Sequence, residues 1–189
     1  NAHKVEEIRA ALPDTIKIIT LAEAGLDIDI PEPHDTLEMN AAEKARTIFH
    51  LTGQDCFADD TGLEVPALGG APGVKSARYA GEGKSFSDNV DKLLKNMEGI
   101  SDRRARFRAV FCLRYHDGEK MFEGICEGGI IDHPKGTHGF GYDPVFVPSG
   151  ADRTFAEMTL AEKNAYSHRK RALEKLVLFL NNLTVNEQY

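Results

Sequence analysis

Two strand-forming segments joined by a tight turn constrain the fold of this sequence more than any other feature. Residues 106–115 form a long strand-like segment, whose alternation places Arg106, Arg108 and Val110 on the face opposite the apolar one. Residues 121–127 can pair with them across Asp117-Gly118, a typical two-residue hairpin turn. We therefore predict two neighbouring strands of one sheet, with one face formed by Phe107, Ala109 and Phe111.

Segments with helical and strand periodicity alternate around this hairpin. Helices are predicted at residues 4–12 and 36–50, after a cap at Ser87, and after Thr159, which forms a capping box with Glu162 and opens the last helix. The stripe expected on the second helix is Leu37, Ala41, Ala45, Ile48 and Phe49. Further strands are predicted at residues 16–20, 26–30 and 54–58. This mixture favours a single α/β (mixed α+β) domain over residues 1–189, with a central mixed sheet flanked by helices.

Composition disfavours several classes of protein. Lys and Arg total 23 against 30 Asp and Glu, a formal net charge of −7, which is a poor match to a nucleic-acid backbone or an anionic membrane surface. The apolar run at residues 176–180 is too short to span a bilayer. Three cysteines without a C-x-x-C pair predict reduced thiols in a cytoplasmic protein, and the histidine spacing does not match a zinc site.

The first candidate segment is Asn1-Ala2-His3-Lys4, at the start of a predicted helix. Backbone N–H groups and the helix dipole favour an anion such as phosphate there, and Lys4 adds a positive charge. Taken alone, the segment is better explained by Asn1 as a helix cap and Lys4 as a solvated side chain.

The second candidate is the adjacent pair Asp59 and Asp60, at the end of an apolar strand. Neighbouring carboxylates repel each other, and a divalent cation is the usual reason for such a pair. Hard oxygen ligands suit Mg²⁺. Strand alternation would place the two side chains on opposite faces, so only one need face a cleft. A cluster of aspartates in a turn is an open alternative.

The third candidate is the glycine-rich segment 138–144. Its glycines would let the backbone approach a flat ligand closely, while Phe140 or Tyr142 could stack on a base. Asp143 could accept a hydrogen bond from a ring N–H group. A glycine-rich turn with its aromatic side chains in the core is an equal alternative.

The fourth candidate is the basic segment 162–171. On one continuous helix, Lys163 and His168 would be about 140° apart, so one ligand reaches both only if it spans the helix or the helix bends. A solvated basic face is the default explanation of such a segment.

Together these segments resemble the inosine triphosphate pyrophosphatase family over nearly the whole chain. Asn1 and Lys4 match the end of the family's T-x-N-x-x-K motif. The other matches, in chain order, are F-A-D-D-T-G-L at 57–63, L-G-G-A-P-G at 68–73 with S-A-R-Y at 76–79, G-F-G-Y-D-P at 139–144, and S-H-R at 167–169. Each motif is modest alone, whereas five in this order are very specific.

The resemblance implies Mg²⁺-dependent hydrolysis of non-standard purine nucleoside triphosphates (ITP, dITP and XTP) to the monophosphate and pyrophosphate. It implies that Asp60 accepts the proton of the attacking water and binds the metal with Glu32, while Asp59 is a second ligand or supports the loop. His168 and Arg169 would donate to O6 of the base. The substrate-binding residues implied are Asn1, Ala2, His3, Lys4, Thr61, Phe140, Gly141, Tyr142, Asp143, Lys163, His168 and Arg169.

The resemblance also implies an elongated, two-lobed fold with the substrate cleft between the lobes, and a homodimer. In the family the first motif begins with a threonine and is preceded by a strand, and we expect both to precede Asn1 in the natural protein. Met39 replaces the acid of the family's T-F-x-E-N-A motif, and Glu38 would point about 100° away on a helix. Glu32 matches the family's metal-associated acid better.

Two alternatives remain at this point. One is a nucleotide-binding regulatory protein that has kept the pocket and lost turnover, for which Met39 is an argument. The other is a nucleic-acid-binding module that uses the arginines of segment 103–108, although the acidic net charge argues against it.

Overall fold

The computed structural model describes residues 1–186 and confirms the mixed α+β class. Helices and strands alternate along the chain as the periodicity predicts. In chain order they are α1 (Ala2–Ala11), α2 (Leu37–Thr52), β1 (Cys56–Glu64), α3 (Phe86–Asn96), β2 (Arg104–Tyr115), β3 (Gly118–Ile130), β4 (Phe146–Pro148), α4 (Leu160–Asn164) and α5 (His168–Asn186).

The four strands form one sheet in the order β1-β2-β3-β4. The predicted hairpin is confirmed, because β2 and β3 are neighbours, but its two connecting residues are His116 and Asp117, and Gly118 is the first residue of β3. β3 pairs antiparallel with β4, with Ile130 opposite Phe146. The sheet is antiparallel rather than the mixed sheet expected. A two-residue turn between strands permits only an antiparallel pair, which is one reason for this arrangement.

Helix α2 forms almost as the sequence predicts. Thr36 caps it by accepting a hydrogen bond from the N–H of Met39, and Gly53 ends it with a left-handed backbone conformation, φ 65°. Leu37, Ala41 and Ala45 of the predicted stripe are buried, whereas the rest of that stripe is only half-buried.

The strands expected at residues 16–20 and 26–30 are wrong. Local hydrogen bonds occupy this backbone instead: the N–H of Thr20 donates to Glu23 Oε2 (2.8 Å) and the N–H of Glu23 donates to Thr20 Oγ1 (3.2 Å). Ile19 is 75% exposed. β-Branched alternation produces a strand only where a neighbouring strand pairs with it, and the sheet of the described residues does not include this segment.

Helix boundaries differ from the prediction at two further places. Ser85, not Ser87, caps α3, by accepting from the N–H of Asp88. Thr159 and Glu162 do form the expected capping box, but the helix that they open is the short α4. A new helix, α5, then begins at His168, so the single C-terminal helix of the prediction is wrong.

The chain divides into two compact units. One consists of Asn1–Asp60, Val110–Gly124 and Arg169–Tyr189, and the other of Thr61–Ala109 and Ile125–His168. The second unit has an aromatic core, in which the ring centroids of Phe107 and Phe146 are 4.6 Å apart and those of Phe146 and Phe155 are 5.3 Å apart. In the part of the chain that is described, we find no helix with the length and apolar character needed to cross a membrane.

The arginines at the start of β2 are engaged within the second unit. Arg106 and Arg108 contact Glu64, at 2.7 and 3.4 Å, and Arg104 pairs with Asp102 at 2.7 Å. The guanidinium of Arg103 donates to three backbone carbonyl groups, those of Met97, Ile130 and Ile131. These contacts disfavour the nucleic-acid-binding alternative, because the charges that would meet a phosphate backbone already have acidic partners.

The cysteines are free thiols, as expected. Burial raises the pKa of Cys56 to about 11 and that of Cys112 to about 12, with further increases from Asp55 and Glu119 respectively. Both thiols are therefore protonated at neutral pH and unreactive.

Candidate active site

The acidic pair Asp59 and Asp60 lies inside a strand, not at its end as predicted. β1 continues through both residues to Glu64. The two carboxylates contact different partners, as strand alternation predicts for neighbouring residues. Each is compensated by cations or amide groups, which explains how a strand tolerates two adjacent acids.

Asp59 is surrounded by cations of the first unit. Lys4 Nζ lies 3.0 Å from its Oδ2, and Arg169 Nη2 lies 3.9 Å from the same atom. Arg169 is buried and also pairs with Glu7 of α1. Burial acts to raise the pKa of Asp59, but Lys4, Arg169 and Lys44 outweigh it and hold that pKa well below its usual range. Asp59 is thus an anion that ties α1 and the start of α5 to β1.

Asp60 has a different environment. Its Oδ2 accepts a hydrogen bond from Asn40 Nδ2 at 3.2 Å, and Lys44 Nζ lies 3.9 Å from its Oδ1. Burial raises the pKa of Asp60 to about 6; Glu32 adds to the increase, while Lys44, Lys4 and Asn40 limit it. A carboxylate with a raised pKa is a better proton acceptor than an ordinary aspartate, and it is still largely ionised above pH 6.

Lys44 joins the acids of this site, and sequence analysis missed it. Its Nζ lies 2.5 Å from Glu32 Oε1 and 2.6 Å from the backbone carbonyl oxygen of Asp59, in addition to its contact with Asp60. Burial acts to lower the pKa of Lys44, but Asp59, Asp60 and Glu32 outweigh it, so the pKa is raised. Glu32 and Asp60 therefore converge on a single cation.

Asn40 is a second residue that the sequence analysis left without a role. Its side chain is fully buried; besides its bond to Asp60, it donates to the carbonyl oxygen of His34 (3.2 Å) and accepts from the N–H of His34 (2.9 Å). It thus connects the loop after Glu32 to β1. One signal was available in the sequence: Asn40 and Lys44 are four residues apart, so they lie on the same face of α2.

The oxygen donors around Lys44 suit a magnesium ion. Glu32 Oε1, Asp60 Oδ1 and the carbonyl of Asp59 are all hard donors. Among the described residues, no group of three His, Cys, Asp or Glu side chains is arranged to hold a metal. Mg²⁺ in proteins commonly takes one or two carboxylates and completes its shell with waters and phosphates.

The glycine-rich segment forms a separate cluster within the second unit. Asp143 Oδ2 accepts a hydrogen bond from the N–H of Phe140 at 3.0 Å. The same oxygen forms an ion pair with Lys163 Nζ at 2.6 Å. The same Nζ lies 5.2 Å from the centroid of the Phe140 ring. Asp143 and Lys163 are both buried, and Phe140, which adjoins this ion pair, is half-buried.

The two aromatic residues of this segment have different environments. Tyr142 is buried in the core, and its hydroxyl group donates to the carbonyl oxygen of Ser76 at 2.7 Å. Phe140 is only half-buried and lies beside Phe86, with 6.0 Å between ring centroids. Of the two alternatives for this segment, an aromatic side chain in the core is correct for Tyr142. Phe140 is the ring that remains available to stack on a base.

The basic segment is not a solvated face. α4 ends at Asn164 and α5 begins at His168, so the angle of about 140° for a continuous helix does not apply. Lys163, His168 and Arg169 are all buried. The His168 ring stacks on Phe107, with centroids 4.8 Å apart and planes at 13°.

The N-terminal segment combines the two explanations given for it. Asn1 does cap α1, through a hydrogen bond from the N–H of Lys4 to its Oδ1. Lys4 is not a solvated side chain, because it pairs with Asp59. Ala2 and His3 are exposed in the first turn, and Thr61 follows Asp60 in β1 as a half-buried residue.

Comparison of the whole chain with known proteins gives its family. The sequence profile of the Ham1 family matches residues 1–179. The chain belongs to the Ham1 family. This confirms the resemblance on which the site residues above were chosen.

Relatives of this Ham1-family chain are similar over nearly their whole length. A protein of Flavobacterium psychrophilum named dITP/XTP pyrophosphatase is 47% identical over 182 residues, covering 96% of each chain. One of Porphyromonas gingivalis with the same name is 49% identical, covering 95% of this chain and 93% of the relative. The solved Ham1 protein of Staphylococcus aureus superposes with a TM-score of 0.87 at 39% identity, covering 96% of this chain and 95% of that one.

The Met39 departure from the motif lies outside the acid cluster of this Ham1-family chain. Met39 is 52% exposed in the first turn of α2. The carboxylates in contact with Lys44 come instead from Glu32 and Asp60. Glu32 thus lies in the same cluster as Asp60 and Lys44.

Gly139 offers a test of the cluster around Asp143. A Cβ atom at Gly139 would lie 2.1 Å from Asp143 Oδ2, whereas one at Gly141 would meet no atom of the described chain within 4 Å. Both glycines have positive φ, 71° and 60°, so alanine adds about 1–2 kcal/mol of backbone strain at either position. Gly139→Ala should lower the free energy of unfolding in urea by about 1–3 kcal/mol more than Gly141→Ala, because Asp143 loses its partners. Equal losses would contradict the assigned contact.

Proposed function

We propose that this chain hydrolyses non-standard purine nucleoside triphosphates, namely dITP, ITP and XTP, to the monophosphate and pyrophosphate. Relatives with the name dITP/XTP pyrophosphatase, similar over almost all of the chain, support the reaction. The observation that carries the proposal is Asp60, a buried carboxylate of raised pKa held by Asn40 beside Glu32 and Lys44. Such a group can take a proton from a water molecule that attacks a phosphorus atom.

We propose Mg²⁺ as the cofactor, with Asp60 and Glu32 as the residues that hold it. When bound, Mg²⁺ would offset the negative charge of the triphosphate chain. Asp59 is better described as support than as a second ligand, because its carboxylate contacts Lys4 and Arg169. Its backbone carbonyl, in contrast, faces the Lys44 side.

The remaining site residues are assigned by their chemistry. Lys4, Asn1 and Thr61 would hold phosphate oxygens, together with backbone N–H groups of Ala2 and His3 at the start of α1. Lys163 adds positive charge next to Phe140, the ring that would stack on the base. The backbone of Gly141 would approach the base, and Tyr142 would support this turn from the core.

Base choice follows from hydrogen-bond polarity. Hypoxanthine and xanthine present O6 as an acceptor, to which His168 and Arg169 can donate. They present N1–H as a donor, from which Asp143 or a backbone carbonyl group can accept a hydrogen bond. Adenine reverses both polarities and leaves a buried group without its partner, a penalty of about 1–3 kcal/mol per group. The site should therefore reject adenine nucleotides.

The proposed function is tested with a set of nucleotides and purified protein. With Mg²⁺ present, kcat/KM for dITP and XTP should exceed that for dATP by at least about tenfold, the effect of one mispaired group. Equal kcat/KM values for all three nucleotides would contradict the proposed base recognition. Tight dITP binding without pyrophosphate release would instead favour the nucleotide-binding regulatory protein that has lost turnover.

We also propose that the protein is a cytoplasmic homodimer, as the family resemblance implies. The free cysteines are compatible with a reducing compartment. Light scattering should give twice the mass of one chain, and a monomeric mass would contradict the proposal.

A further inference from the structure

Lys44 lies where the acids of the proposed metal site converge. Its ammonium group contacts one carboxylate oxygen at 2.5 Å, one carbonyl oxygen at 2.6 Å and a second carboxylate oxygen at 3.9 Å, those of Glu32, Asp59 and Asp60 respectively. An ammonium group with oxygen neighbours of this kind resembles a metal ion in the sign of its charge and in its preference for oxygen. Its side chain is largely buried, like those around it.

The charges explain why a cation is needed there. Glu32 and Asp60 share one buried region, and two carboxylates in such a region repel each other unless a positive charge lies between them. Lys44 supplies such a charge, because its ammonium group contacts both carboxylates. The flexible four-carbon stem of lysine allows the ammonium group to move by several ångströms without any change in the backbone of α2.

We propose that Lys44 is an exchangeable counter-ion, which neutralises Glu32 and Asp60 in the metal-free protein and leaves them when Mg²⁺ binds. The inference rests on the proposed function, because it takes from it the two metal-holding acids. Lys44 thereby competes with the metal, so the apparent affinity for Mg²⁺ is lower than the two acids alone would give. Once displaced, its charge is available to the anionic nucleotide. Lys44 thus acts on the metal site indirectly, through the two acids that would hold the metal.

Calorimetry of the nucleotide-free protein tests the competition. Lys44→Met removes the charge and keeps an unbranched side chain that is one atom shorter. It should bind Mg²⁺ at least about tenfold more tightly than the wild type, because the competing state is lost. Lys92→Met is the matched control: Lys92 is exposed and also donates to a backbone carbonyl, that of Tyr79, but no carboxylate contact is assigned to it. This control should bind Mg²⁺ like the wild type. Equal affinities in Lys44→Met and the wild type would overturn the proposal.

A second measurement on the wild type covers the case in which Lys44→Met does not fold. Lysine acetylation by an N-hydroxysuccinimide ester, followed by mass spectrometry of peptides, reports the accessibility of each amine. Acetylation of Lys44 should be slow without metal and should rise several-fold on addition of Mg²⁺, while that of Lys92 stays constant. An unchanged rate at Lys44 in saturating Mg²⁺ would overturn the displacement.

The two proposals fail in different ways. If the wild type binds Mg²⁺ but shows no hydrolysis of dITP or XTP, the proposed function is wrong, and the binding and acetylation results still decide the role of Lys44. If hydrolysis depends on Mg²⁺ but Lys44 shows neither effect, the counter-ion role is wrong and the proposed function stands.

Discussion

Replacing Asp60 with asparagine is expected to reduce kcat for dITP by at least about 10²-fold, the usual contribution of a general base. The amide keeps the shape of the side chain and can still accept a hydrogen bond from Asn40, but it cannot take a proton from water. It also weakens the proposed metal site, which adds a further loss at low Mg²⁺. The loss caused by the missing proton acceptor should remain in kcat at saturating Mg²⁺. Pyrophosphate release measures this loss.

Thermal unfolding distinguishes lost chemistry from a lost fold. Because the pKa of Asp60 is raised from 3.8 to about 6 by burial, ionisation of this group between those values lowers the free energy of unfolding. Asp60→Asn should therefore melt at the same temperature as the wild type or higher at pH 7.5. Asp152→Asn, at a side chain that is 97% exposed, should leave both activity and melting unchanged. Retained hydrolysis in Asp60→Asn would refute the catalytic assignment.

Removal of Mg²⁺ is the second change with a large expected effect. Chelation by EDTA should reduce the rate of dITP hydrolysis by at least about 10²-fold, because without the metal the charge of the triphosphate chain opposes attack by an anionic or polarised nucleophile. Addition of MgCl₂ in excess over EDTA should restore the rate. The measurement is steady-state pyrophosphate release at fixed ionic strength.

The fold provides the control for this experiment. Lys44 already compensates Glu32 and Asp60 in the metal-free protein, so circular dichroism should show the same secondary structure with and without EDTA. A rate that EDTA does not change would contradict the proposed cofactor, and a loss of structure in EDTA would show that the metal acts on folding rather than on the reaction.

Sequence analysis predicted the elements whose determinants are local. The Asp117-Gly118 signal between two strand-like segments locates the β2–β3 hairpin to within one residue, and α2 follows from the Thr36 cap and the apolar stripe behind it. The strands expected at residues 16–20 and 26–30 failed for a different reason. Alternation of apolar and polar side chains is compatible with a strand, but a strand also needs a partner strand, and the rest of the chain determines whether one is present.

The sequence predicted the part of the candidate site that has a local signal and missed the part that depends on contacts between distant residues. Asp59 and Asp60 are conspicuous as neighbouring acids, and their separation onto two faces follows from the strand period. Asn40 and Lys44 are ordinary residues of a polar helix when only their types are known. Their roles depend on side-chain contacts with β1 and with the loop that contains Glu32, which are far away in the sequence.

The break between α4 and α5 was missed as well. Residues 159–180 satisfy a helical pattern from the capping box onward, and no glycine or proline marks the interruption. The break is stabilised by burial of Lys163, His168 and Arg169 in different environments, against Asp143, Phe107 and Glu7 respectively. Tertiary contacts of this kind outweigh local helix propensity.

The products formed from dITP provide the most direct test of the central claim, that this chain cleaves between the α- and β-phosphates. Phosphorus NMR of dITP incubated with the protein and Mg²⁺ resolves the possible products. We predict equal amounts of dIMP and pyrophosphate from the start of the reaction. Formation of dIDP and orthophosphate would show cleavage at the terminal phosphate and would contradict the account.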